Sequence, residues 1–478
     1  MTRSLVAWGG ALCGVLAWGH SPTARAAIAV ELVVPSPGPS ELEPPPAGEQ
    51  AVRWALPRGK RQVVKIKAAP RRDALTLGQT RGETALLVSD TNPVRGAGCK
   101  QWLRAEPAGY VCAAEVTVRS GWLSSPPAAE LATAWQRLRY GVVRAVQTQV
   151  RGGAGRFLRA LLRRGDGVTV TRTLGQEVQL VGRQRLAAAD VQLVTPPQVK
   201  PVPIGGLPPG QRVAWAVPPQ GESLVPLYLP GQQQPAAYAP RYTVLHYSAQ
   251  NYSPPSYSGT SYSSPTYTAI SYSGHHTGAH APGGSPAAPR VTVTVPEDAV
   301  LQPGLGASEA GPGRTFEIET AHLRRFTPAA PPPEIGPDER WLDISIGDQV
   351  ATAYVGRTPA FATLVSTGSA TRPGSFFIYR KYLTQTMANL SGASSQYDYR
   401  EVPWAQFFDG RIGLHAVLWH DLLGHPVSHG CINLSPPSAQ QLFAFTGPPL
   451  PPGWHSVTGA APDSDPAALR GTRVVVRR

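Results

Sequence analysis

Three things are scarce in this chain of 478 residues: charge, cysteine and long apolar runs. Charged residues make up 15%, there are 4 Cys, and we find no stretch beyond residue 26 that is long and apolar enough to span a bilayer. Chain-breaking residues are abundant instead, with 49 Gly and 51 Pro. Because proline removes a helix hydrogen bond and glycine weakens helices, this composition excludes a long coiled coil or an all-helical bundle. The hydrophobic share of 42% excludes wholesale disorder, and the length favours about three domains.

The formal net charge of +14 lies almost entirely upstream of residue 338. Residues 338–478 hold 11 Lys+Arg and 10 Asp+Glu, which leaves the excess in the preceding part. A basic surface of this kind favours either a polyanionic neighbour or simple solubility. The basic run from Arg156 to Arg164 is typical of a solvated face, and no zinc-finger spacing or aromatic RNA-binding motif accompanies it. We therefore expect no nucleic-acid partner.

Residues 1–26 have the features of a secretory signal peptide. Arg3 gives a positive start, an apolar run extends from Leu5 to Trp18, and a small-residue Ala-Arg-Ala site ends at Ala26. The apolar run is shorter than the roughly 20 residues of a membrane-spanning helix. We expect cleavage near Ala26 and an exported product, in the periplasm or cell wall, with no transmembrane anchor after cleavage.

Export changes how the cysteines are interpreted. Cleavage would remove Cys13 and leave Cys99, Cys112 and Cys431. In an oxidising compartment Cys99 and Cys112 are the natural disulfide pair, and closing that short loop is worth about 3 kcal/mol. Cys431 is then an odd thiol, which in an exported protein is either reactive or a route to dimers.

Upstream of residue 338 the composition divides the chain into segments. Residues 27–50 form a Pro-rich linker, and residues 51–120 form a compact β unit. Its strand-like runs, separated by turn residues, are Val63–Ile66, Thr84–Val88, Gln101–Arg104 and Gly109–Cys112. This spacing, with Trp102 followed by Gly109-Tyr110-Val111-Cys112, resembles a bacterial Src-homology-3-like barrel, a module often attached to cell-wall enzymes. The resemblance implies a small β-barrel that either targets the wall or acts as a spacer.

Two further segments precede the last domain, and a second linker with short strands, residues 291–337, follows them. Residues 121–235 are a basic mixed helix and β region, in which apolar residues at three- and four-residue intervals predict a helix. These residues are Leu131, Trp135, Leu138, Val142 and Val146. Residues 236–290 contain tyrosines every five residues from Tyr242 to Tyr272, a period that fits neither strand nor helix. We predict a disordered Tyr/Ser/Pro-rich tether, or alternatively an adhesive tract that binds glycan.

Residues 338–478 are predicted to form a mainly β domain with one docked helix. Apolar and polar residues alternate from Trp341 to Ile346, which predicts a half-buried strand. Further strands are predicted up to Gly356 and at residues 361–366, 375–379, 414–418 and 473–477. Ser435-Pro436 supplies an N-cap and a proline at the first helical position, so a helix begins there and ends before Gly447.

The chemistry is concentrated in the hexapeptide at 428–433, Ser-His-Gly-Cys-Ile-Asn. A free thiol is mostly protonated at neutral pH, so a nucleophilic Cys431 needs a base beside it. His429 is two residues away, and His415 on a neighbouring strand could reach the sulfur across the sheet. Gly430 leaves room for a substrate carbonyl to approach backbone amides. The flanking residues 428 and 433 are short polar groups able to orient an imidazole or the loop.

A zinc site is one alternative for this cluster. His415, His420, His425, His429 and Cys431 crowd a short span, but their spacing lacks the regular pairing of zinc modules. An inert buried cysteine is the other alternative, and it would need neither the glycine before the cysteine nor polar residues on both sides. We therefore expect no metal and a reactive thiol.

These residues resemble the signature of the L,D-transpeptidase catalytic-domain family, an upstream His followed by Ser/Thr-His-Gly-Cys. The likeness covers about residues 338–478 and includes further short motifs: Leu364-Val365-Ser366-Thr367-Gly368, Pro373-Gly374, Lys381, Met387, Val402-Pro403-Trp404, Phe408, Trp419-His420-Asp421 and Asn433-Leu434-Ser435-Pro436. The sequence departs from the pattern at Arg372, where Thr is common, and at Ala416, where Gly or Ser usually follows the His. The resemblance implies a β-sandwich with a docked helix, and the family uses the backbone carbonyl at that second position to orient the His.

The resemblance implies a cysteine enzyme of the cell wall that needs no cofactor. Cys431 would attack the third residue of a peptidoglycan stem tetrapeptide, release D-Ala and pass the acyl group to an amine of a second stem or of a wall-attached protein. His415 would be the base, His429 and Ser428 would position the thiolate, and the Gly430 and Cys431 amides would hold the oxyanion. The candidate substrate-binding residues are Met387, Tyr397, Asp409, Gly410 and Asn433.

Two other functions remain open from the sequence. A thiol carboxypeptidase or amidase would use the same residues on the same stems, with water as the acceptor. A non-catalytic wall-binding protein would rely on the β modules and the tyrosine tract, and it would not need Cys431.

Overall fold

The computed structural model describes residues 52–58, 63–82, 84–89, 92–121, 139–152, 161–180, 184–248, 288–304, 313–388, 398–459 and 470–478. The predicted signal peptide, the Pro-rich linker after it and most of the tyrosine tract lie outside these stretches, and so does the candidate residue Tyr397. Within the described stretches the fold is mainly β with one α-helix. None of the helical residues described there forms a segment long and apolar enough to cross a membrane.

Three β units precede the C-terminal domain, and they close in the same way. In each unit the first strand pairs antiparallel with a strand that directly follows a 3-10 turn. The three turns are Ala113–Glu115, Ala188–Asp190 and Thr320–His322. The three upstream units therefore repeat the same strand topology at the point where each unit closes.

The first unit contains eight strands. They are β1 (Val52–Pro57), β2 (Val63–Lys67), β3 (Thr76–Arg81), β4 (Leu86–Val88), β5 (Val94–Gly96), β6 (Cys99–Arg104), β7 (Tyr110–Cys112) and β8 (Val116–Gly121). β6 pairs antiparallel with β7, and a disulfide joins Cys99 to Cys112 across Cα atoms 5.9 Å apart. Trp454 and Val457 of the C-terminal domain belong to the same hydrophobic core as Ile66. The first unit therefore packs directly against the C-terminal domain.

The second unit is built from strands in every part that the structure describes. They are β9 (Arg139–Val143), β10 (Gln147–Gln149), β11 (Leu161–Arg163), β12 (Gly167–Leu174), β13 (Glu177–Leu180), β14 (Arg185–Ala187) and β15 (Val191–Val194). The helix predicted through Val142 and Val146 is wrong here, because Val142 lies in β9 and Val146 lies just before β10. β9 pairs with both β12 and β15, and this pairing of β-branched residues overrides the helical spacing. The earlier positions of that prediction, 131, 135 and 138, lie outside the described residues.

The third unit spans the tyrosine tract. Its strands are β17 (Gln211–Ala216), β18 (Leu224–Leu227), β19 (Ala237–Pro240), β20 (Val244–Ser248), β21 (Arg290–Thr294), β22 (Gln302–Pro303), β23 (Thr315–Glu319) and β24 (Leu323–Arg325), and a short strand β16 (Val202–Pro203) precedes them. β20 and β21 flank the tract and pair antiparallel at His246 and Thr294. β19 and β20 lie inside the segment predicted as a disordered tether, so residues 237–248 are part of this unit. The rest of the predicted tether, residues 249–287, lies outside the described residues. Tyr242 and Tyr247, at the start of the tyrosine tract, belong to this unit.

The C-terminal domain is a sandwich whose two sheets share one strand. Its strands are β25 (Arg340–Ser345), β26 (Val350–Val355), β27 (Thr358–Ser366), β28 (Gly374–Phe377), β29 (Arg380–Ala388), β30 (Asp398–Asp409), β31 (Ile412–Ala416), β32 (Ile432–Leu434), β33 (Ser456–Thr458) and β34 (Arg473–Arg477). One sheet has the order β27-β26-β25-β34-β28. The other runs β33-β29-β30-β31-β32 and returns to the end of β27. The order of the second sheet places β31 and β32 side by side.

Helix α1 (Pro436–Phe445) follows β32 directly and begins as the sequence predicts. The Ser435 side chain accepts a hydrogen bond from the Ser438 amide, and proline occupies the first turn. Lys381 closes the other end, because its buried ammonium donates to the carbonyls of Phe443 and Thr446, both at 2.7 Å. The helix is thereby fixed at both ends against the strands that carry the site.

The first strand of this domain is buried on both faces, so the half-buried prediction is wrong. Leu342 and Ile344 face the core, and Asp343 between them is only 1% exposed. Arg477 on the parallel neighbour β34 forms a two-point ion pair with Asp343, at 2.8 Å (Nε–Oδ1) and 3.0 Å (Nη2–Oδ2). Alternating polar residues in a strand indicate a solvent-exposed face only where those side chains contact water. Here the Asp343 side chain is paired by a neighbouring strand instead.

Candidate active site

Two neighbouring strands bring the candidate nucleophile and base together. β31 and β32 pair in parallel, and His415 lies opposite Asn433. The Cys431 thiol precedes β32 and meets the start of β31, where it donates to the Arg411 carbonyl (Sγ–O 3.7 Å) and contacts the Gly413 backbone. The thiol is partly exposed, whereas His415 is buried. The structure thus brings the thiol to the strand that carries the histidine, with the thiol at the surface and the imidazole inside.

The His415 ring is oriented by the residue that follows it. Its Nδ1 lies 3.0 Å from the Ala416 carbonyl oxygen, which can only accept a hydrogen bond. Nδ1 therefore carries the proton, and Nε2 keeps a free lone pair. A backbone carbonyl needs no particular side chain at position 416, so alanine serves there as glycine or serine would.

His420 is a member of the site that the sequence analysis did not select. Its Nδ1 accepts the Leu422 amide at 3.1 Å, so the neutral ring carries its proton on Nε2. That Nε2 lies 2.9 Å from the side-chain amide of Asn433. The Asn433 atom at this distance is Nδ2. Because two N–H groups cannot form a hydrogen bond with each other, we assign the Asn433 amide in the opposite orientation, with its oxygen accepting from Nε2. The only sequence signal was the Trp419-His420-Asp421 motif, which gave His420 no role.

Ser428 and Gly430 shape the turn that leads into Cys431. The Ser428 hydroxyl donates to the Cys431 carbonyl at 2.5 Å and accepts the Gly430 amide at 3.1 Å. The Gly430 amide is thus occupied in this structure, which differs from the oxyanion role predicted for it. A Cβ on Gly430 would lie 3.1 Å from the Ala370 Cβ, so tight packing also favours glycine there.

A second segment, residues 367–371, lies along this turn and holds it. The Ser428 amide donates to the Thr367 carbonyl at 3.1 Å, and the Ser369 amide donates back to the Ser428 carbonyl at 3.2 Å. The Thr371 hydroxyl donates to the Gly430 carbonyl at 2.7 Å. The turn before the nucleophile is therefore fixed by backbone contacts on one side and by its own serine on the other.

Thiol and imidazole are both neutral in this environment. Burial raises the pKa of the Cys431 thiol, although the Gly413 backbone and the Arg411 charge act in the opposite direction. Burial lowers the pKa of His415 to about 4, although the hydrogen bond that its ring donates to the Ala416 carbonyl acts in the opposite direction. His420 behaves alike, because burial and the neighbouring His415 lower its pKa to about 4. The pKa shifts of Cys431 and His415 both favour the uncharged pair of thiol and imidazole over a thiolate and an imidazolium.

The other candidate residues lie further from the thiol or in other contacts. His429 is exposed, and its carbonyl accepts the Ala370 amide at 3.1 Å. Asp409 forms a two-point ion pair with Arg372, with both contacts at 2.7 Å, and this pair lowers the pKa of the Asp409 carboxyl. The Gly410 carbonyl accepts the Tyr379 hydroxyl. Asp409 is thus engaged by the arginine that departs from the family pattern.

Met387 lies opposite Tyr399, one of two stacked aromatic residues near His415. It is half-buried on β29 and pairs with Tyr399 on β30. The Tyr399 ring stacks on Trp419 at 3.8 Å between centroids, and Trp419 lies 5.8 Å from the His415 ring. In the described stretches no group of three or more His, Cys, Asp or Glu side chains is arranged to hold a metal ion.

Comparison with known proteins places this geometry in a family. The L,D-transpeptidase catalytic domain (YkuD) family model matches residues 339–476. No curated protein matches the chain.

Several solved structures are similar at low identity. A mutant of the Enterococcus faecium L,D-transpeptidase is 20% identical over 29% of this chain and 50% of that one, with a TM-score of 0.22. L,D-transpeptidase 3 from Mycobacterium tuberculosis is 18% identical over 39% of this chain and 68% of that one, with a TM-score of 0.23. The chain spans about half the length of the first of these. The family match confirms the resemblance drawn from the sequence: residues 339–476 of this chain match the L,D-transpeptidase catalytic-domain family model.

Proposed function

We propose that the chain is an exported L,D-transpeptidase that acylates Cys431 with a peptidoglycan stem tetrapeptide. The observation that carries the proposal is that the partly exposed Cys431 thiol contacts the Gly413 backbone. Gly413 lies on β31, two residues before the buried His415. A surface thiol beside an inward imidazole with a free Nε2 suits a nucleophile that is deprotonated during attack.

The reaction consists of two acyl transfers. The Cys431 sulfur bonds to the carbonyl carbon of the third stem residue, and His415 takes the thiol proton. The bond to D-Ala breaks, and the proton passes to the departing amine. The amine of a second stem, or of a wall-attached protein, then attacks the thioester carbonyl and loses its proton to His415. The carbon–sulfur bond breaks, and His415 returns that proton to the Cys431 sulfur. No ATP is required, because the thioester retains the energy of the broken peptide bond.

Two further features support export and the wall as the site of action. The Cys99–Cys112 disulfide is a bond of oxidising compartments, and the first 26 residues have the pattern of a signal peptide. We propose the periplasm or cell wall as the location. The resemblance of residues 51–120 to a Src-homology-3-like barrel is compatible with either wall targeting or a spacer role for the first unit.

A carbapenem tests the nucleophile directly. We expect mass spectrometry of the full chain to find one covalent adduct on the peptide that contains Cys431, and none on a Cys431→Ala variant. Incubation with stem tetrapeptides then distinguishes the acceptor: a cross-linked dimer indicates transpeptidation, whereas free tripeptide indicates hydrolysis. If the wild-type chain forms no adduct and Cys431→Ala leaves wall binding and wall composition unchanged, the chain is a non-catalytic wall-binding protein.

A further inference from the structure

The loop between β31 and β32 is held from outside the C-terminal domain. It contains a turn at residues 422–425, in which the His425 amide donates to the Leu422 carbonyl at 3.3 Å. Two adjacent residues of the third unit contact this turn and Asp421, which precedes it. The Arg241 guanidinium forms an ion pair with the Asp421 carboxylate. The Tyr242 hydroxyl donates to the Asp421 carbonyl and accepts the Leu423 amide, the latter at 3.2 Å. A side chain and two backbone groups of the loop are thus bound by one dipeptide.

Other contacts extend the same interface along the loop. The Arg324 Nε donates to the Gly424 carbonyl at 2.7 Å, and the His425 ring lies 3.0 Å from the Pro218 carbonyl. A Cβ on Gly424 would meet the Val217 side chain at 2.8 Å, so the loop and the third unit are in close contact there. The contact is therefore continuous over residues 421–425.

Tyr242 adopts a backbone conformation that a bulky residue rarely takes. Its φ is 67°, in the left-handed region where a Cβ is crowded. Such a conformation persists only where surrounding contacts fix it, and it occurs often at functional sites. Burial raises the pKa of the Tyr242 hydroxyl to about 12, so this group stays protonated and continues to donate.

Two hydrogen bonds connect the turn to Asn433, which is two residues after Cys431 in the chain. The Leu422 amide, at the start of the turn, donates to His420 Nδ1, and His420 Nε2 meets Asn433. Asn433 lies opposite His415 in the strand pair and two residues after Cys431. A shift of the turn therefore moves His420, and with it the residue opposite the base.

We propose that Arg241 and Tyr242 of the third unit are positioning residues for the Cys431 site. They hold Asp421 and the turn after it, and the turn holds His420 against Asn433. The inference rests on the proposed function, because positioning matters only if Cys431 is the nucleophile. The rate at which Cys431 is alkylated tests the positioning role without requiring transpeptidase activity. In this arrangement the upstream unit completes the catalytic domain, which alone would leave the outer side of the loop unsupported.

The test compares two tyrosine variants of the same unit in the full chain. Tyr242→Phe removes the hydroxyl that binds the turn. Tyr228→Phe is the matched control, because its hydroxyl contacts Glu319 inside the third unit, at 3.3 Å. The readout is the rate of Cys431 alkylation by iodoacetamide from about pH 5 to about pH 9, quantified on the Cys431 peptide, together with carbapenem acylation. Thermal unfolding establishes that each variant is folded at the assay temperature.

Tyr242→Phe removes both hydrogen bonds of the hydroxyl, and one net hydrogen bond is worth about fivefold. We therefore expect it to slow both reactions by at least about fivefold, and Tyr228→Phe to leave them unchanged. We also expect the pH dependence of alkylation to shift for Tyr242→Phe, because a displaced His420–Asn433 pair changes the surroundings of Cys431, two residues before Asn433, and with them the pKa of the thiol. A lower fraction of folded protein would reduce the rate equally at every pH. Equal rates and profiles for the two variants would overturn the proposal.

Asp421→Asn provides a second variant that breaks the contact from the loop side. We expect Asp421→Asn to slow alkylation of Cys431 as well. In the double variant with Tyr242→Phe, we expect the rate to fall by less than the product of the two single reductions, because both residues act on the same turn. If Tyr242→Phe does not fold, Asp421→Asn decides alone, and an unchanged rate overturns the proposal. Alkylation that depends on Tyr242 in a chain that resists carbapenem would refute the proposed function while leaving the positioning role intact.

Discussion

Replacing Gly368 with alanine tests whether the turn before Cys431 must be held this closely. A Cβ on Gly368 would lie 2.3 Å from the Gly430 nitrogen and 2.3 Å from both the carbonyl and the hydroxyl oxygen of Ser428. An ordinary contact begins near 3.4 Å, so the turn must move outward by about 1 Å. The three contacts are with the turn itself and not with the end of a flexible side chain, so the shift reaches Cys431.

We expect Gly368→Ala to slow carbapenem acylation of Cys431 by roughly 100-fold, since a displacement of about 1 Å at a reacting group has an effect of that order. The hydrogen bonds across the turn are worth about 1 kcal/mol each, so the unfolding temperature should fall only moderately. Gly206→Ala is the control, because nothing lies within 4 Å of the Cβ it would add. An acylation rate within twofold of the wild type for Gly368→Ala would refute the reasoning.

Three further predictions concern protonation, a buried charge and the disulfide. Because the pKa of Cys431 is raised and that of His415 is lowered to about 4, alkylation of the thiol should keep rising above about pH 8.5, whereas a plateau by neutral pH would indicate a preformed thiolate. Arg477→Met leaves the Asp343 carboxylate buried without its partner and should lower the free energy of unfolding by roughly 3–5 kcal/mol in denaturant titrations, with Arg478→Met as an exposed control that stays unchanged. Reducing the disulfide of the first unit should cost about 3 kcal/mol, seen as a lower unfolding midpoint with reductant.

Local sequence signals predicted much of the C-terminal domain. Strand alternation, turn residues and the Ser435-Pro436 helix start each depend on a few adjacent residues, and they agree with β26, β27, β31, β34 and α1. The same kind of signal failed at Val142 and Val146. A three- to four-residue spacing of apolar residues is compatible with a strand when neighbouring strands bury those residues, and no local pattern records which neighbours are present.

Part of the candidate site could not be predicted because it is formed by residues distant in sequence. His420 has no local feature that distinguishes it from His425, and its role appears only when Asn433 meets its ring. The hydrogen bond from Tyr242 to Asp421 joins residues about 180 positions apart. From the spacing of tyrosines every five residues, we predicted that Tyr242 belongs to a tether. Composition does not show which of these tyrosines lie next to the strands of a sheet.

The sequence by itself determined the chemistry: an odd cysteine in a Ser-His-Gly-Cys motif, a histidine upstream, and the family that these residues resemble. Such motifs are contiguous, so the reactive groups and the turn that presents them are encoded in one short stretch. Only the tertiary structure decided which imidazole nitrogen is free, which second histidine supports the site, and which upstream unit holds the loop. These depend on burial and on contacts between separate sheets, and burial and contact are properties of packing rather than of any local run of residues.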